Sequence, residues 1–192
     1  WLFDVLPRIN ILENKVDLKK IDYFLFPNLK EKFQTETLDL LDIPLSKRIS
    51  SIEFRHIQSN NLLAVDHPYV IKNDPTNEIQ NIPGWIIKYL RNRFLEKAIK
   101  YKTNETPKKI YIDRSDAKSN HGNLRKIINE DEVKNLLIKN GFSIITLSDL
   151  TFIDQICLFN NASQIIGLHG AGFANCIFCT PVTLLLELKS IT

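Results

Sequence analysis

An α/β fold organised around a parallel sheet is the class this 192-residue sequence predicts, and three observations predict it. Residues 109–188 alternate strand-type and helix-type segments at the spacing of a parallel sheet covered on both faces. Within them, an apolar run at 165–168 breaks at His169-Gly170-Ala171-Gly172, passes a short helix-compatible stretch and resumes at 183–188, the shape of a strand, turn, helix and strand. The composition is that of a globular chain, 44% hydrophobic and 24% charged, so a substantial core can be buried.

In chain order, apolar residues at Trp1, Val5, Leu6, Ile9 and Leu12 form a helical stripe, in which Pro7 marks either a kink or the true helix start. Residues 21–26 read as a buried strand. Asn28 can cap a helix to about residue 41, which must stop before Pro44 because a residue preceding proline avoids helical geometry. Alternation over 49–57 and the short run 62–65 predict two further strands, with Asn60-Asn61 near the turn. Asp74-Pro75, Ile82-Pro83 and Gly84 make residues 73–84 a loop. From 85 to 100 an amphipathic helix turns Ile86, Leu90, Phe94 and Ala98 inward and leaves Lys88, Arg91, Arg93 and Lys97 to solvent. A break at 103–108 precedes the strand 109–113. Asn129 starts a helix with Glu132 as its capping-box partner, and Asn140-Gly141 ends it in a left-handed cap. Residues 142–147 are the next strand, and Thr151 with Asp154 caps a helix through 160, ahead of the strand that leads into His169.

A net charge of +3 is too small for a dedicated nucleic-acid surface and suits an anionic small ligand. No run reaches the length of a membrane span, and the first residues lack the basic start and long apolar stretch of a signal peptide. The chain begins at Trp1 and contains no Met, so it reads as a piece of a longer protein. Three cysteines, Cys157, Cys176 and Cys179, cannot all pair with one another, which favours a reducing compartment over a disulfide framework. Cys176-Ile-Phe-Cys179 has Cys-x-x-Cys spacing, but a zinc site needs a second ligand pair that the sequence lacks, so both thiols read as small core hydrophobes.

Candidate chemistry gathers where the strands end. In a parallel sheet Asp113-Arg114-Ser115, Ser148-Asp149, His169-Gly170 and Glu187 all fall at the carboxyl edge, where open α/β sheets bind ligands. Small residues at Gly170, Ala171 and Gly172 let a ligand approach the backbone, and a helix start behind them offers unpaired N–H groups to an anion such as a diphosphate. His169 adds a donor side chain there. Arg114 and Arg125 carry planar paired donors that match phosphate oxygens, and Glu187 can accept from ribose hydroxyls. Plainer readings stand beside these: a tight turn for the glycines, a surface pair of Arg125 with Glu130 or Asp131, a loop cap for Glu187. The His-Gly-Ala-Gly turn also suits an esterase oxyanion hole, but no Gly-x-Ser-x-Gly nucleophile is present. Neither Gly-x-Gly-x-x-Gly nor a Walker-type Gly-Lys-Ser/Thr occurs, which disfavours a dehydrogenase.

Tyr111-Ile-Asp-Arg114, Arg125, Asn129-Glu130, Gly141-Phe142, Phe152 with Gln155, Phe159, Ala162, and Gly167-Leu-His-Gly-Ala-Gly172 with Asn175, Phe178, Pro181 and Glu187 together resemble glycosyltransferase family 61 over residues 109–188. Trp1-Leu-Phe-Asp4-Val-Leu-Pro7-Arg8 is similar to that family's amino-terminal element. Two departures are that Phe173 stands where members usually carry Leu, and that members extend well past residue 192. The resemblance implies a GT-B-like α/β fold of two Rossmann-like domains truncated at both ends of the chain: a partial acceptor-side domain over 1–104 and a partial nucleotide-sugar-binding domain over 105–192.

It further implies an inverting transfer from a nucleotide-sugar to a glycan, lipid-linked or protein acceptor, in surface or capsular polysaccharide synthesis for bacterial members. The implied donor-binding set is Arg114, Arg125, Asn129, Gly170, Ala171, Gly172, Asn175 and Glu187, with His169 at the donor and Asp4, from the opposite domain, as candidate base. Asp4 and Arg8 also stand at i and i+4, the spacing of a plain helix ion pair. No Asp-x-Asp occurs, which agrees with catalysis without a metal or other cofactor, and Glu130-Asp131-Glu132 is the acidic first turn that a helix dipole favours. The implied location is the cytoplasm or its membrane surface, or the secretory lumen for a eukaryotic member. A non-catalytic nucleotide- or glycan-binding subunit of the same fold is the competing expectation.

Overall fold

The computed structural model describes residues 1–69, 81–101, 105–116 and 127–189. The chain divides into two compact units, Trp1–Phe94 and Leu95–Thr192. Both are mixed α/β with parallel strands.

In the first unit, α1 (Val5–Glu13) carries Pro7 in its first turn, two residues after the helix begins, where an N–H has no intrahelical partner in any case. β1 (Phe24–Phe26), α2 (Lys32–Leu40) and β2 (Arg48–Ser50) form one βαβ unit whose two strands pair in parallel. Leu6, Phe26, Leu38, Ile43, Ile86 and Leu90 are buried core residues here, the last two from α3 (Gly84–Leu90).

Several sequence expectations need correction in this unit. Residues 18–20 form a 3₁₀ turn capped by Asp17, so the strand expected from residue 21 begins only at Phe24. The α2 N-cap is Glu31, not Asn28, and its backbone N–H donates to the Gln34 Oε1 at 3.0 Å. At the other end Ile43 N–H reaches the Leu38 carbonyl at 3.1 Å and Asp42 N–H reaches Asp39 at 2.9 Å, a Schellman closure in which Asp42, at φ 58°, takes the place usually held by glycine. The strand expected over 49–57 ends at Ser50, and 62–65 is not a strand. Ile52, Phe54, Leu62 and Leu63 are exposed. Apolar alternation marks a strand only when a neighbour covers one face, and among the described residues β2 pairs with β1 alone.

From α3 the chain passes through a π turn, Arg91–Leu95, into α4 (Glu96–Tyr101). Ile86, Leu90, Phe94 and Ala98 are fully buried, as their spacing predicts. A strict four-residue repeat drifts by about 40° per step on an α-helix of 3.6 residues per turn. The extra residue held in the π turn takes up part of that drift.

The second unit is built on β3 (Lys109–Asp113), β4 (Ser143–Thr146), β5 (Gln164–Leu168) and β6 (Leu184–Leu188), all parallel, in the order β4-β3-β5-β6. α5 (Glu130–Lys139) links β3 to β4, α6 (Phe152–Asn161) links β4 to β5, and a 3₁₀ segment, Ala171–Phe178, links β5 to β6. The Tyr111 hydroxyl meets Glu130 of α5, whereas Gly167 lies against Phe173 and Ile112 against Gly172 of the 3₁₀ segment, so the two connections cover opposite faces. Phe152 and Phe178 pack edge to face at 5.9 Å and join α6 to the 3₁₀ segment.

The caps are mostly as expected. Gly141, at φ 82°, closes α5 with its N–H on Ile138 and that of Phe142 on Leu137, both at 3.0 Å. Thr151 Oγ1 accepts from Asp154 N–H at 3.1 Å. The capping box at Asn129 does not form: its amide donates to the Glu132 carboxylate at 3.1 Å, side chain to side chain. Coverage of the sheet is unequal, since α5 buries none of its residues fully and Leu184, Leu185 and Leu186 of β6 are exposed. Cys157 is buried and its Sγ donates to the Ala98 carbonyl at 3.3 Å, but Cys176 and Cys179 are only part-buried and are not core residues. Among the described residues no helix is long and apolar enough to cross a membrane.

Candidate functional site at the carboxyl edge of the sheet

Four parallel strands deliver the residues that follow them to one edge. The chain leaves β3 towards β4 on one side and leaves β5 towards β6 on the other, so the winding reverses between β3 and β5 and a crevice opens there. The register places Ile112 opposite Gly167 and Gly167 opposite Glu187. Because side chains alternate along a strand, Arg114, His169, Glu187 and Lys189 continue the same face. Their contacts form a row across three strands. Arg114 Nη1 donates to the His169 carbonyl oxygen at 2.6 Å, His169 Nδ1 lies 2.6 Å from Glu187 Oε1, and Lys189 Nζ lies 3.0 Å from Glu187 Oε2.

The glycines of the turn act through space more than through backbone freedom. Gly170 is extended, with φ 165°, a conformation any residue adopts. A Cβ built on it would stand 2.7 Å from Arg114 Nη1, so the missing side chain is what lets the guanidinium lie over the turn. At Gly172 a Cβ would stand 2.9 Å from Leu147 Cδ1, and at Gly167 it would meet Ile112 Cβ at 3.1 Å and the Phe173 ring at 3.3 Å. A cavity of about 180 Å³ lies here, walled by Ile112, Leu147, Leu168 and Phe173 and floored by Gly170, Ala171 and Gly172, with Arg114 and Asp116 at its polar side. A larger cleft of about 710 Å³ occurs in the first unit among Glu13, Lys15, Lys47 and Arg93, and none of the sequence-predicted site residues lines it.

On the opposite face, Asp113 holds the start of the loop that carries Arg114. Its carboxylate accepts from Lys134 Nζ at 3.0 Å and from the backbone N–H and hydroxyl of Ser115, both at 3.1 Å. Burial alone would raise the Asp113 pKa, but the Lys134 and Ser115 hydrogen bonds and the Lys134 charge outweigh it and hold the carboxyl below its ordinary 3.8. Lys134 also pairs with Glu130 at 3.3 Å. The Tyr111 hydroxyl beside Glu130 is pushed up to about 12, first by burial and then by that carboxylate.

The structure thus brings Arg114, His169, Gly170, Ala171, Gly172 and Glu187 together. Asn175 is buried and turned elsewhere: it donates to Gln155 Oε1 at 2.9 Å, and Gln155 in turn donates to the Leu147 carbonyl at 2.9 Å, tying the 3₁₀ segment to the turn after β4. Asn129 is exposed at the start of α5, bonded to Glu132. Arg125 lies outside the described residues. Asp4 belongs to the first unit, where its Oδ1 meets Arg8 Nη2 at 2.9 Å, the i,i+4 pair that the sequence suggested, and His67 Nε2 at 3.2 Å. Among the described residues no group of three or more His, Cys, Asp and Glu side chains could hold a metal ion.

Sequence reasoning missed Lys189, Lys134 and Asp116. Lys189 was legible, since i and i+2 on a strand share a face with Glu187. Lys134 sits at i+4 from Glu130, a signal for that pair, but nothing local announces its bond to Asp113.

A parallel sheet whose winding reverses between β3 and β5, with a guanidinium and a glycine-lined turn beside that point, defines an α/β protein of the doubly wound, Rossmann-like kind. The family model for Glycosyltransferase 61 matches residues 1–186, and the chain belongs to that family. Membership implies glycosyltransferase activity, with a sugar donor and a glycan acceptor as partners. A comparison with curated proteins finds none that matches the chain.

The acid side of the Asp113 contact is measurable. A carboxyl with a depressed folded pKa contributes stability that is complete above its unfolded value of 3.8 and lost as pH falls through the lower folded value. In Lys134→Met the lysine's bond and charge are lost while burial and the Ser115 bonds remain, so the loss should begin at higher pH, and stability at pH 7 should fall by about 2 kcal/mol. Urea titrations across the acid range, followed by circular dichroism, read both effects.

Proposed function

We propose that the chain is an inverting glycosyltransferase of GT-B-like, two-Rossmann-domain architecture, moving a sugar from a nucleotide-sugar to a glycan or glycoconjugate acceptor in surface polysaccharide synthesis. The observation that carries this reading is the Arg114 guanidinium lying over Gly170, at the glycine-lined turn beside the crevice between β3 and β5. A guanidinium already bonded to a carbonyl through Nη1 keeps its remaining donors for phosphate oxygens.

In such a transfer the bond from the anomeric carbon to the phosphate oxygen breaks with its electron pair leaving on the nucleoside diphosphate. The acceptor hydroxyl oxygen bonds to the opposite face of that carbon and gives up its proton to a base. Charge develops on the leaving diphosphate, so fixed donors aimed there lower the barrier. Arg114, Arg125 and the N–H groups of residues 170–172 fill that role in this reading, with His169 beside them and no metal required. Asp4 is the base we assign. The enzyme works in the cytoplasm or at its membrane surface, or in the secretory lumen if the source is eukaryotic.

Incubation with labelled nucleotide-sugars, scored for transfer and donor hydrolysis, tests the reading; saturable binding with no product would make the chain a binding subunit instead. Arg114→Ala should weaken nucleoside diphosphate binding by about tenfold or more, the loss of a charge-assisted hydrogen bond. Gly170→Ala should weaken binding comparably by displacing the guanidinium, while unfolding stability stays within about 0.5 kcal/mol because only the mobile end of Arg114 must shift. Asp4→Asn should abolish turnover and spare donor binding, and unchanged turnover would reduce Asp4 to its ion pair with Arg8.

A further inference from the structure

We propose that Glu187 is a positioning residue for His169, holding the imidazole by Nδ1 so that Nε2 faces the donor's diphosphate and the ring binds that ligand as an imidazolium. The proposal rests on the donor-site reading above and goes beyond it by giving Glu187 a role distinct from ribose binding. Three observations carry it. A carboxylate can only accept, so at 2.6 Å from Glu187 Oε1 the Nδ1 atom carries the hydrogen, and Nε2 is the ring nitrogen left for a ligand. The sheet register enforces the meeting, since Gly167 stands opposite Glu187 and His169 continues the Gly167 face. Finally, the second carboxylate oxygen is taken by Lys189 at 3.0 Å, so Glu187 is fixed from both sides and has both oxygens engaged before any ribose arrives.

The charges around the ring favour this state when an anion binds. From β6 it faces the Glu187 carboxylate, whose other oxygen bonds Lys189, and from the end of β3 Arg114 bonds the histidine's own backbone carbonyl. The Glu187 carboxyl is itself held low: burial alone would raise its pKa, but the bonds and charges of Lys189 and His169 prevail. From the 3₁₀ segment the nearby Cys176 thiol stays neutral, its pKa pushed up by its bond to Cys179, by burial, and by the Cys179 and Glu187 charges. A diphosphate oxygen at Nε2 would then place the ring between two anions, and a hydrogen on each nitrogen is needed to bond both. Ligand binding therefore takes up a proton to the extent that the free ring is neutral. No bond other than N–H forms or breaks.

The experiment uses inorganic pyrophosphate, which carries the diphosphate without committing to a base or sugar. Calorimetry at neutral pH in two buffers of different protonation enthalpy reads the proton uptake. Wild type should take up a proton on binding, with affinity falling as pH rises. Glu187→Gln, which keeps an acceptor but removes the charge, should bind about tenfold more weakly and take up less proton. Nitrogen NMR of labelled histidine in the ligand-free chain should find the neutral His169 ring as the Nδ1–H tautomer, moving towards Nε2–H in Glu187→Ala.

An Nε2–H tautomer in wild type would overturn the proposal without reference to any variant. So would unchanged affinity and proton uptake in Glu187→Gln while Arg114→Ala loses binding, and that result would leave the donor-site reading standing. Failure of wild type to bind pyrophosphate at all would overturn both.

Discussion

The register between β3, β5 and β6 is the constraint on which the rest of this molecule depends. Ile112, Gly167 and Glu187 stand side by side across three parallel strands, and two residues further on the same face come Arg114, His169 and Lys189. A slip of one residue in any of these strands would turn its contribution to the opposite face, because side chains alternate with a period of two. The guanidinium would then point towards α5, and the imidazole would lose its carboxylate. Backbone pairing therefore sets the chemistry of the edge, and the side-chain bonds are its consequences.

The two faces of the sheet solve different problems with residues that are neighbours in sequence. Towards α5, Tyr111 and Asp113 meet Glu130 and Lys134, a small ionic cluster that anchors the start of the Arg114 loop. Buried charge of this kind is costly unless every partner is engaged, and Asp113 engages Lys134 and Ser115 with both of its oxygens. On the other face, beside the row of Arg114, His169, Glu187 and Lys189, the turn is lined by glycines. Gly167, Gly170 and Gly172 each leave room for a specific side chain: Phe173, Arg114 and Leu147. One face secures the loop and the other leaves space beside the turn.

Phe173 and Asn175 show how the 3₁₀ segment distributes its side chains among different neighbours. The Phe173 ring sits against the missing side chain of Gly167 and forms part of the cavity wall. Asn175, two residues on, was expected at the donor and is instead turned inward to Gln155. A 3₁₀ segment has three residues per turn, so its successive side chains fan around the axis, and residues 173 and 175 face different neighbours.

Much of the second unit, and the helical stripe that leads into it, was legible from residues alone, since periodicity and caps are local properties. The strand 109–113, the Asn140-Gly141 closure, the Thr151 cap and the inward stripe Ile86, Leu90, Phe94 and Ala98 all follow from spacing and turn chemistry. Residues 49–65 misled for the converse reason: their alternation is real, but a strand exists only with a partner, and no local feature reports one. By itself the sequence determined the parallel α/β class and the gathering of Arg114, His169 and Glu187 at one edge, because element type and strand direction are written in short-range pattern. Only the tertiary structure decided which atoms touch: that Arg114 lies over Gly170, that Glu187 is held between His169 and Lys189, and that Asn175 faces away, since these depend on register between strands distant in the chain.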